Sequence, residues 1–414
     1  MFSAIGQYLS SDAFAQQARE KPSDFTRTRR LPLAHIVAFL LNAPRAGLQS
    51  ELDAFFDHSL QAPLGRPPTK SALCQARRHL RPQAMRQLLG HSAQVFVEHS
   101  KAPLWHGLRV LALDSTTLRV PNVPESVEHF GGMLTSCGKF RPLARASALL
   151  DVARDAFVDA RLGGFADDDR TLAADHLEAL GTGDLLVMDR GYPSRQWLTQ
   201  LCAKGVAFCA RIGHPWAQVK RFARSDQHDA VVDLGTTKAP LPLRLLRVVL
   251  PNGATLMLVT NLFDNSFTGP QFASLYRSRW RIEEAFKRIK ARLQVENWSG
   301  VLPHTVEQDF YASLVRHNCA AVMAMAVRPE ENGLEPPAPD AKGWRSRINR
   351  TLVLKSLRHF LPRLLLSLDP HTLLLHLIER LRAPSAIERT RPDRRAPRNK
   401  GVRIAGFHFA YKAA

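Results

Sequence analysis

The sequence predicts an α/β fold: a mixed sheet covered by helices and carrying a β-strand insertion, with a helical N-terminal domain and a helical C-terminal region on either side. Three observations lead there. Between about residues 104 and 262, short apolar runs bounded by turn residues alternate with amphipathic stretches, as strands and covering helices of one sheet do. Before residue 103 and after about residue 270, apolar residues recur at helical spacing instead. With 45% apolar residues in a chain of 414, there is enough material for two or three domain-sized cores.

Residues 1–103 read as a basic helical domain with a DNA-docking role. Leu33, Ile36, Val37, Leu40 and Leu41, then Leu48, Leu52, Phe55 and Phe56, keep the spacing of two amphipathic helices. A third helix opens after Thr69 with Ser71 as its cap, and gathers Lys70, Arg77, Arg78, Arg81 and Arg86 on neighbouring turns. A solvated helix face is the competing reading of those cations.

Residues 104–328 form the α/β domain in this reading, the one that holds the candidate catalytic residues named below. Residues 108–113, 146–150 and 157–162 are strands, the last two joined by a tight turn over Asp151 to Asp155. A helix over 170–180 follows, capped by the run Asp167, Asp168, Asp169. Residues 185–188 are a buried strand, 194–204 a helix and 206–212 a further strand. From about 213 to 262 the pattern is strand-rich around a Pro251-Asn252-Gly253 turn, a β insertion. Residues 329–414 give a loop, leucine-rich helices broken at Pro362 and Pro370, and a basic tail.

Charge follows this division. The net charge is +20, yet residues 1–103 hold 13 basic and 7 acidic side chains (+6), residues 104–275 hold 18 and 17 (+1), and residues 276–414 hold 26 and 13 (+13). A polyanionic partner is expected, gripped at the flanks of a balanced middle. Five scattered cysteines without a Cys-x-x-Cys pair argue against a disulfide framework or a cysteine zinc site and favour a reducing cytosol. The N-terminus lacks the basic-then-apolar pattern of a signal peptide, so a soluble cytoplasmic protein is expected.

Two aspartates end apolar runs in the same way: Asp114 in LALDSTT and Asp189 in LLVMDRGY. Both stand where a buried strand is expected to emerge, the place where α/β sheets carry their sites. A third carboxylate comes from the segment Tyr276 to Lys290. At about 100° per residue, with Tyr276 at zero, Arg279 falls near 300°, Glu283 near 340° and Lys290 near 320°. This wedge borders the apolar stripe of Leu275, Ile282, Phe286, Ile289 and Leu293, whereas Glu284 points away, with Arg277, Arg281, Arg288 and Arg292 on the outward side. Glu283 is therefore the inward glutamate. A surface ladder of ion pairs is the competing reading. Three convergent carboxylates suit two Mg²⁺ or Mn²⁺ ions in phosphoryl transfer, with Arg279 and Lys290 on the flanking phosphates.

The spacing Tyr276-x2-Arg279-x3-Glu283-x6-Lys290 resembles the Tyr-Arg-Glu-Lys signature of the insertion-sequence-four group of bacterial DDE transposases, and Asp114 and Asp189 resemble its two aspartates in the same order. The resemblance implies a ribonuclease H-like catalytic core, binding of terminal inverted repeats, Mg²⁺-dependent strand cleavage and strand transfer, a homodimer in the synaptic complex, and a bacterial, nucleoid-associated setting. It also implies that Tyr276, Arg279 and Lys290 bind DNA, and that an aromatic of the β insertion receives a flipped base. Trp216, the one tryptophan of that stretch, is the candidate, with edge packing as the alternative. A domesticated DNA-binding regulator and a stand-alone metal-dependent nuclease of the same fold are the competing functions.

Overall fold

The structure is a computed structural model that describes residues 1–26, 31–42, 47–59, 67–213, 216–237, 239–331, 333–334, 338–367 and 370–390. The basic tail from residue 391 onward lies outside the described residues.

The N-terminal part is helical, as its apolar spacing predicts: α1 (Phe2–Leu9), α2 (Asp12–Ala18), α3 (Leu33–Leu41), α4 (Leu48–Ala54), α5 (Lys70–Arg78) and α6 (Pro82–Glu98). Thr69, not Ser71, caps α5, its hydroxyl accepting the Ala72 N–H at 3.2 Å. Two of the five cations expected on one docking face are engaged with the rest of the molecule instead. Arg77 is only 2% exposed and donates to Gln308, Ser299 and Asp309, while Arg86 pairs with Asp159 at 3.1 Å. Lys70 and Arg78 remain exposed.

The middle of the chain builds a mixed α/β unit around one sheet. Its strands are β1 (Arg109–Arg119), β2 (Gly132–Leu134), β3 (Phe140–Asp151), β4 (Ala156–Gly164), β5 (Asp184–Met188), β6 (Ala207–Arg211), β7 (Asp229–Asp233), β8 (Pro242–Val249) and β9 (Thr255–Thr260). Among the described residues they run β2-β3-β1-β5-β6-β9-β8-β7, with β4 also on β3. β1 is antiparallel to β3 and parallel to β5, and β5 is parallel to β6. The strands of the stretch expected to be a β insertion extend this same sheet, β9 pairing antiparallel with β6 through Cys209↔Thr260 and Arg211↔Leu258.

Helices α7 (Pro124–Phe130), α8 (Asp169–Ala174), α9 (Arg195–Ala203) and α10 (Ala217–Arg224) intervene between strands. The expected helix over 170–180 is shorter than its sequence suggests: α8 stops at Ala174, and a 3-10 turn, Leu177–Ala179, follows. The break accompanies the complete burial of His176, which sits between Asp159 and Ser147. The strand-rich reading of 213–262 also passed over α10, a short helix that buries only Val219 and Phe222.

Period-2 alternation puts β1 residues on both faces of the sheet. Val110 and Ala112 join one apolar core, Leu111 and Leu113 the other; in β5, Leu185 and Val187 divide from Leu186 and Met188 in the same way. The second core is closed by α9 and α10. The first is closed by α11 (Gly269–Ser278), α12 (Trp280–Ala291) and α13 (Pro303–Val327), and it runs on into the N-terminal helices and into α14 (Arg350–Leu366) and α15 (His371–Arg382). Pro362 does not break α14, contrary to its usual effect; Leu361, Leu364 and Leu365 around it are buried and packing carries the helix through. A two-stranded antiparallel ribbon of β10 (Arg345–Ile348) and β11 (Ile387–Thr390) brackets α14 and α15 in sequence.

Candidate active site

The parallel ladder between β1 and β5 ends at the pair Leu113↔Met188. The next residue on each chain is an aspartate, so Asp114 and Asp189 stand level on adjacent strands. Asp114 is two residues beyond Ala112 and Asp189 two beyond Val187, both residues of the first core, so alternation directs the carboxylates toward that face, where α11 and α12 lie. One expectation is corrected: β1 does not end at Asp114 but continues to Arg119, still paired with β3 through Asp114↔Ala148 and Arg119↔Leu143. Only the parallel partner stops there.

The third carboxylate comes from α12. Residues 276–290 were read as one helix; α11 ends at Ser278 and α12 begins at Trp280, while Arg279 between them keeps helical dihedrals of −52° and −33°. The phase of the helix is therefore preserved. Ile282, Phe286 and Ile289 are buried, Glu283 is half-buried and Glu284 is exposed.

The signature residues tie the three carboxylates together. Arg279, itself 6% exposed, donates from Nη1 to Asp114 Oδ2 at 2.8 Å and from Nη2 to Glu283 Oε1 at 2.7 Å. The Tyr276 hydroxyl donates to Asp189 Oδ1 at 2.9 Å. Lys290 Nζ is turned to the far end of β1, donating to Thr116 Oγ1 at 2.6 Å and the Thr117 carbonyl at 2.7 Å. Trp216 is not among these contacts. It precedes α10, packs half-buried against the second core, and has the Arg195 guanidinium 5.8 Å from its ring centroid.

Charge crowding marks the site. Burial pushes the Asp114 carboxyl above its usual range; Arg279 and the Ser115 N–H oppose this, and Glu283 and Asp189 add to it. Burial would also raise Asp189, but the Arg190 N–H, the Tyr276 hydroxyl, Arg279 and Arg211 together hold it below its usual value. Burial raises the Tyr276 phenol, and Asp189 raises it further, so it stays a donor. Lys290 is lowered by burial, with Glu296 opposing.

Supporting contacts lie just outside this group, and the sequence reading missed them. Ser115 Oγ donates to Asp169 Oδ1 at 2.7 Å, and Arg145 donates to the same oxygen at 2.8 Å. Asp169 had a visible signal, the Asp167–Asp169 run, but was read only as a helix cap. Tyr192, four residues past Met188, is buried beside Asp114 and Ser115, with its phenol raised by burial and then by Asp114.

A family model described as "Transposase DDE domain" matches residues 105–319, just over half of the chain and the whole stretch that bears these residues. The chain belongs to the transposase DDE domain family. This DNA transposase is 25% identical over 368 residues to Transposase InsG for insertion sequence element IS4 from Escherichia coli (strain K12), covering 80% of this chain and 79% of that one. Among solved structures, it matches a piggyBac transposase synaptic complex with hairpin DNA at a TM-score of 0.43 and 10% identity, over 91% of this chain and 84% of the other. No helix among the described residues of the transposase is long and apolar enough to cross a membrane.

Proposed function

We propose that this transposase binds the terminal inverted repeats of an insertion sequence and moves it by divalent-metal-dependent strand cleavage and strand transfer on a ribonuclease H-like core, with Asp114, Asp189 and Glu283 as the catalytic carboxylates. The observation that carries the reading is the bridge made by one helical segment: Arg279 spans Asp114 and Glu283 while Tyr276, a turn earlier, holds Asp189. Residues 165 and 87 positions apart in sequence are joined through Arg279 and Tyr276, two of the four signature residues.

The donor chemistry fits a hard divalent ion. The three side chains offer carboxylate oxygens only, the preference of Mg²⁺ or Mn²⁺, and Asp114 is raised partly by its two acidic neighbours, a repulsion that a cation relieves. Among the described residues no three His, Cys, Asp or Glu stand close enough to grip an ion together, and the Arg279 guanidinium is hydrogen-bonded to both Asp114 and Glu283. An ion at Asp114 and Glu283 would compete with Arg279 for these oxygens, so Arg279 would give up a carboxylate to it. Two ions held by Asp114, Asp189 and Glu283 would supply Lewis-acid activation of the attacking oxygen and charge relief at the leaving oxygen.

The remaining roles belong to the chain itself. Arg279, once released from a carboxylate, offers a planar pair of donors suited to a phosphate beside the scissile bond. Lys290 adds a point charge on the same wedge. Tyr276 orients Asp189 through a hydroxyl that burial keeps protonated. Trp216 offers a half-exposed ring for an unstacked base. Residues 1–103 supply a DNA-binding domain, 104–328 the catalytic domain and 329–414 the C-terminal helices and tail; two copies join the transposon ends, and the chain works in the bacterial cytoplasm at the nucleoid.

The test is a cut-and-join assay on duplexes bearing the element's inverted repeats with Mg²⁺. The wild-type chain should nick and join, whereas Asp114→Ala, Asp189→Ala and Glu283→Gln should bind the ends and leave them uncut. Cleavage by purified Glu283→Gln in Mg²⁺ would overturn the assignment, and cleavage without joining by the wild type would favour a nuclease.

A further inference from the structure

Of the arginines on the outward side of the Glu283 helix, Arg281 and Arg288 are half-buried, while Arg277 and Arg292 are exposed. They form one wall of a pocket of about 600 Å³. Arg277, Arg281, Arg288 and Arg292 come from α11, α12 and the turn after them; Arg345, Arg347 and Arg350 come from β10 and the start of α14 opposite. Against these seven guanidinium groups the lining sets three carboxylates, Asp155, Glu284 and Glu388.

Those carboxylates do not neutralise the pocket. Asp155, buried at its floor, is engaged with Arg288 and lies 3.5 Å from Arg350. The Nε atoms of Arg288 and Arg345 are buried with no hydrogen-bond partner among the described residues. Burial lowers the Arg281 guanidinium, and Arg288 and Arg347 press it the same way against Asp155 and Glu284. Cations crowded at a concave, half-enclosed surface are stable together when an anion is supplied, and planar N–H forks suit phosphate oxygens.

From these groups we infer that the pocket is a second phosphate site of the transposase, one that takes backbone phosphates of a DNA segment other than the one at the carboxylates. Arg277, Arg281, Arg288 and Arg292 lie about 120–180° around the helical phase from Glu283, across a helix about 10 Å thick. A phosphate held there is not the scissile one. DNA is favoured over a small free phosphate because β11, whose Glu388 lines the pocket, leads directly into residues 391–403, which hold six further Lys or Arg against one Asp. The sequence keeps its positive charge well beyond what a single small anion would use.

The inference rests on the reading of this chain as a DNA-cutting enzyme, but its test needs no cutting. Binding of a fluorescein-labelled duplex to the full chain is measured in EDTA by anisotropy across a salt titration, for wild type, Arg345→Gln/Arg347→Gln and Arg345→Lys/Arg347→Lys. The Gln pair should bind about tenfold more weakly, with a slope of log K against log salt lower by about 1–2. The Lys pair, which keeps the charge, should stay near wild type. Wild-type affinity and slope in the Gln pair would overturn the site. So would equal losses in both pairs with a lowered thermal midpoint, which would make the β10–β11 ribbon purely structural. Stabilisation of the wild type but not the Gln pair by sodium tripolyphosphate, with DNA binding unchanged, would replace DNA by a free polyphosphate and overturn it as stated. Cleavage by Glu283→Gln would overturn only the catalytic assignment and leave this binding result standing.

Discussion

Two adjacent glutamates differ in fate because a helix turns by about 100° per residue: Glu283 meets Arg279 and Glu284 meets the arginine pocket. That distinction was legible in the sequence because it depends only on local phase. The aspartates were legible for a similar local reason, an acidic residue ending an apolar run, although Asp114 turned out to sit inside a strand that loses one partner rather than ending. Ser115, Asp169 and Arg145 were not legible as a group, since their contacts span 54 and 24 residues and depend on how β1, β3 and the segment after β4 meet. The buried line Ser147, His176 and Asp159, with links of 3.0 and 2.8 Å, shows the opposite hazard. It has the geometry of a hydrolase triad, yet it is sealed under the sheet and reaches no substrate. At this scale Arg279 is the most informative position. Arg279→Lys replaces a planar fork that joins two carboxylates by a point charge that can satisfy one, and should slow strand cleavage on the order of a hundredfold (about 2–3 kcal/mol in the barrier) while end binding in EDTA changes only a few-fold. A wild-type cleavage rate in gel assays of this variant would show that the bridge has no part in the reaction.

Helices and strands with a long, regular apolar period were found where the spacing put them, and the departures have local causes. α8 stops early where His176 is drawn into the core, α10 is too short and polar to announce itself, and α14 continues through Pro362 because buried leucines on both sides hold it. The packing of α1 on α14 was invisible from sequence, because it joins Gly6 to Leu365. A Cβ at Gly6 would land on the Leu365 carbonyl oxygen, which is backbone and cannot swing aside. Gly6→Ala should therefore push the two helices apart and cost about 1–3 kcal/mol despite the better helix propensity of alanine. Thermal unfolding of the purified variant gives the measurement; an unchanged or raised midpoint would mean that the helices are not in close contact there.

For the molecule as a whole, charge explains more than the +20 total suggests. Part of the N-terminal positive charge is structural, Arg77 and Arg86 being committed to Asp309 and Asp159, and part of the C-terminal charge is concentrated in a pocket behind the active helix. Such pairs also set the acid stability. Burial alone would raise Asp159, but His176, Arg161 and Arg86 bring its carboxyl down from 3.8 to about 2. A carboxylate depressed on folding adds stability that is complete above its unfolded value and is lost as pH falls through the folded one. The contribution, roughly 2 kcal/mol, should disappear between about pH 4 and pH 2. Asp159→Asn should lower the urea midpoint at pH 7 and flatten that part of the pH profile; a profile parallel to wild type would refute the pairing. A last consequence follows from the apolar core that Phe2, Ile5 and Leu9 share with Leu361, Leu364 and Leu365. At roughly 5–20 residues per second, a ribosome takes tens of seconds to travel from the first of these helices to the last. Throughout that interval the side of α1 that meets α14 lacks its cover, even with α2, α3 and α6 packed on the rest of the helix, so each new molecule is exposed to chaperones and proteases there until its final helices emerge.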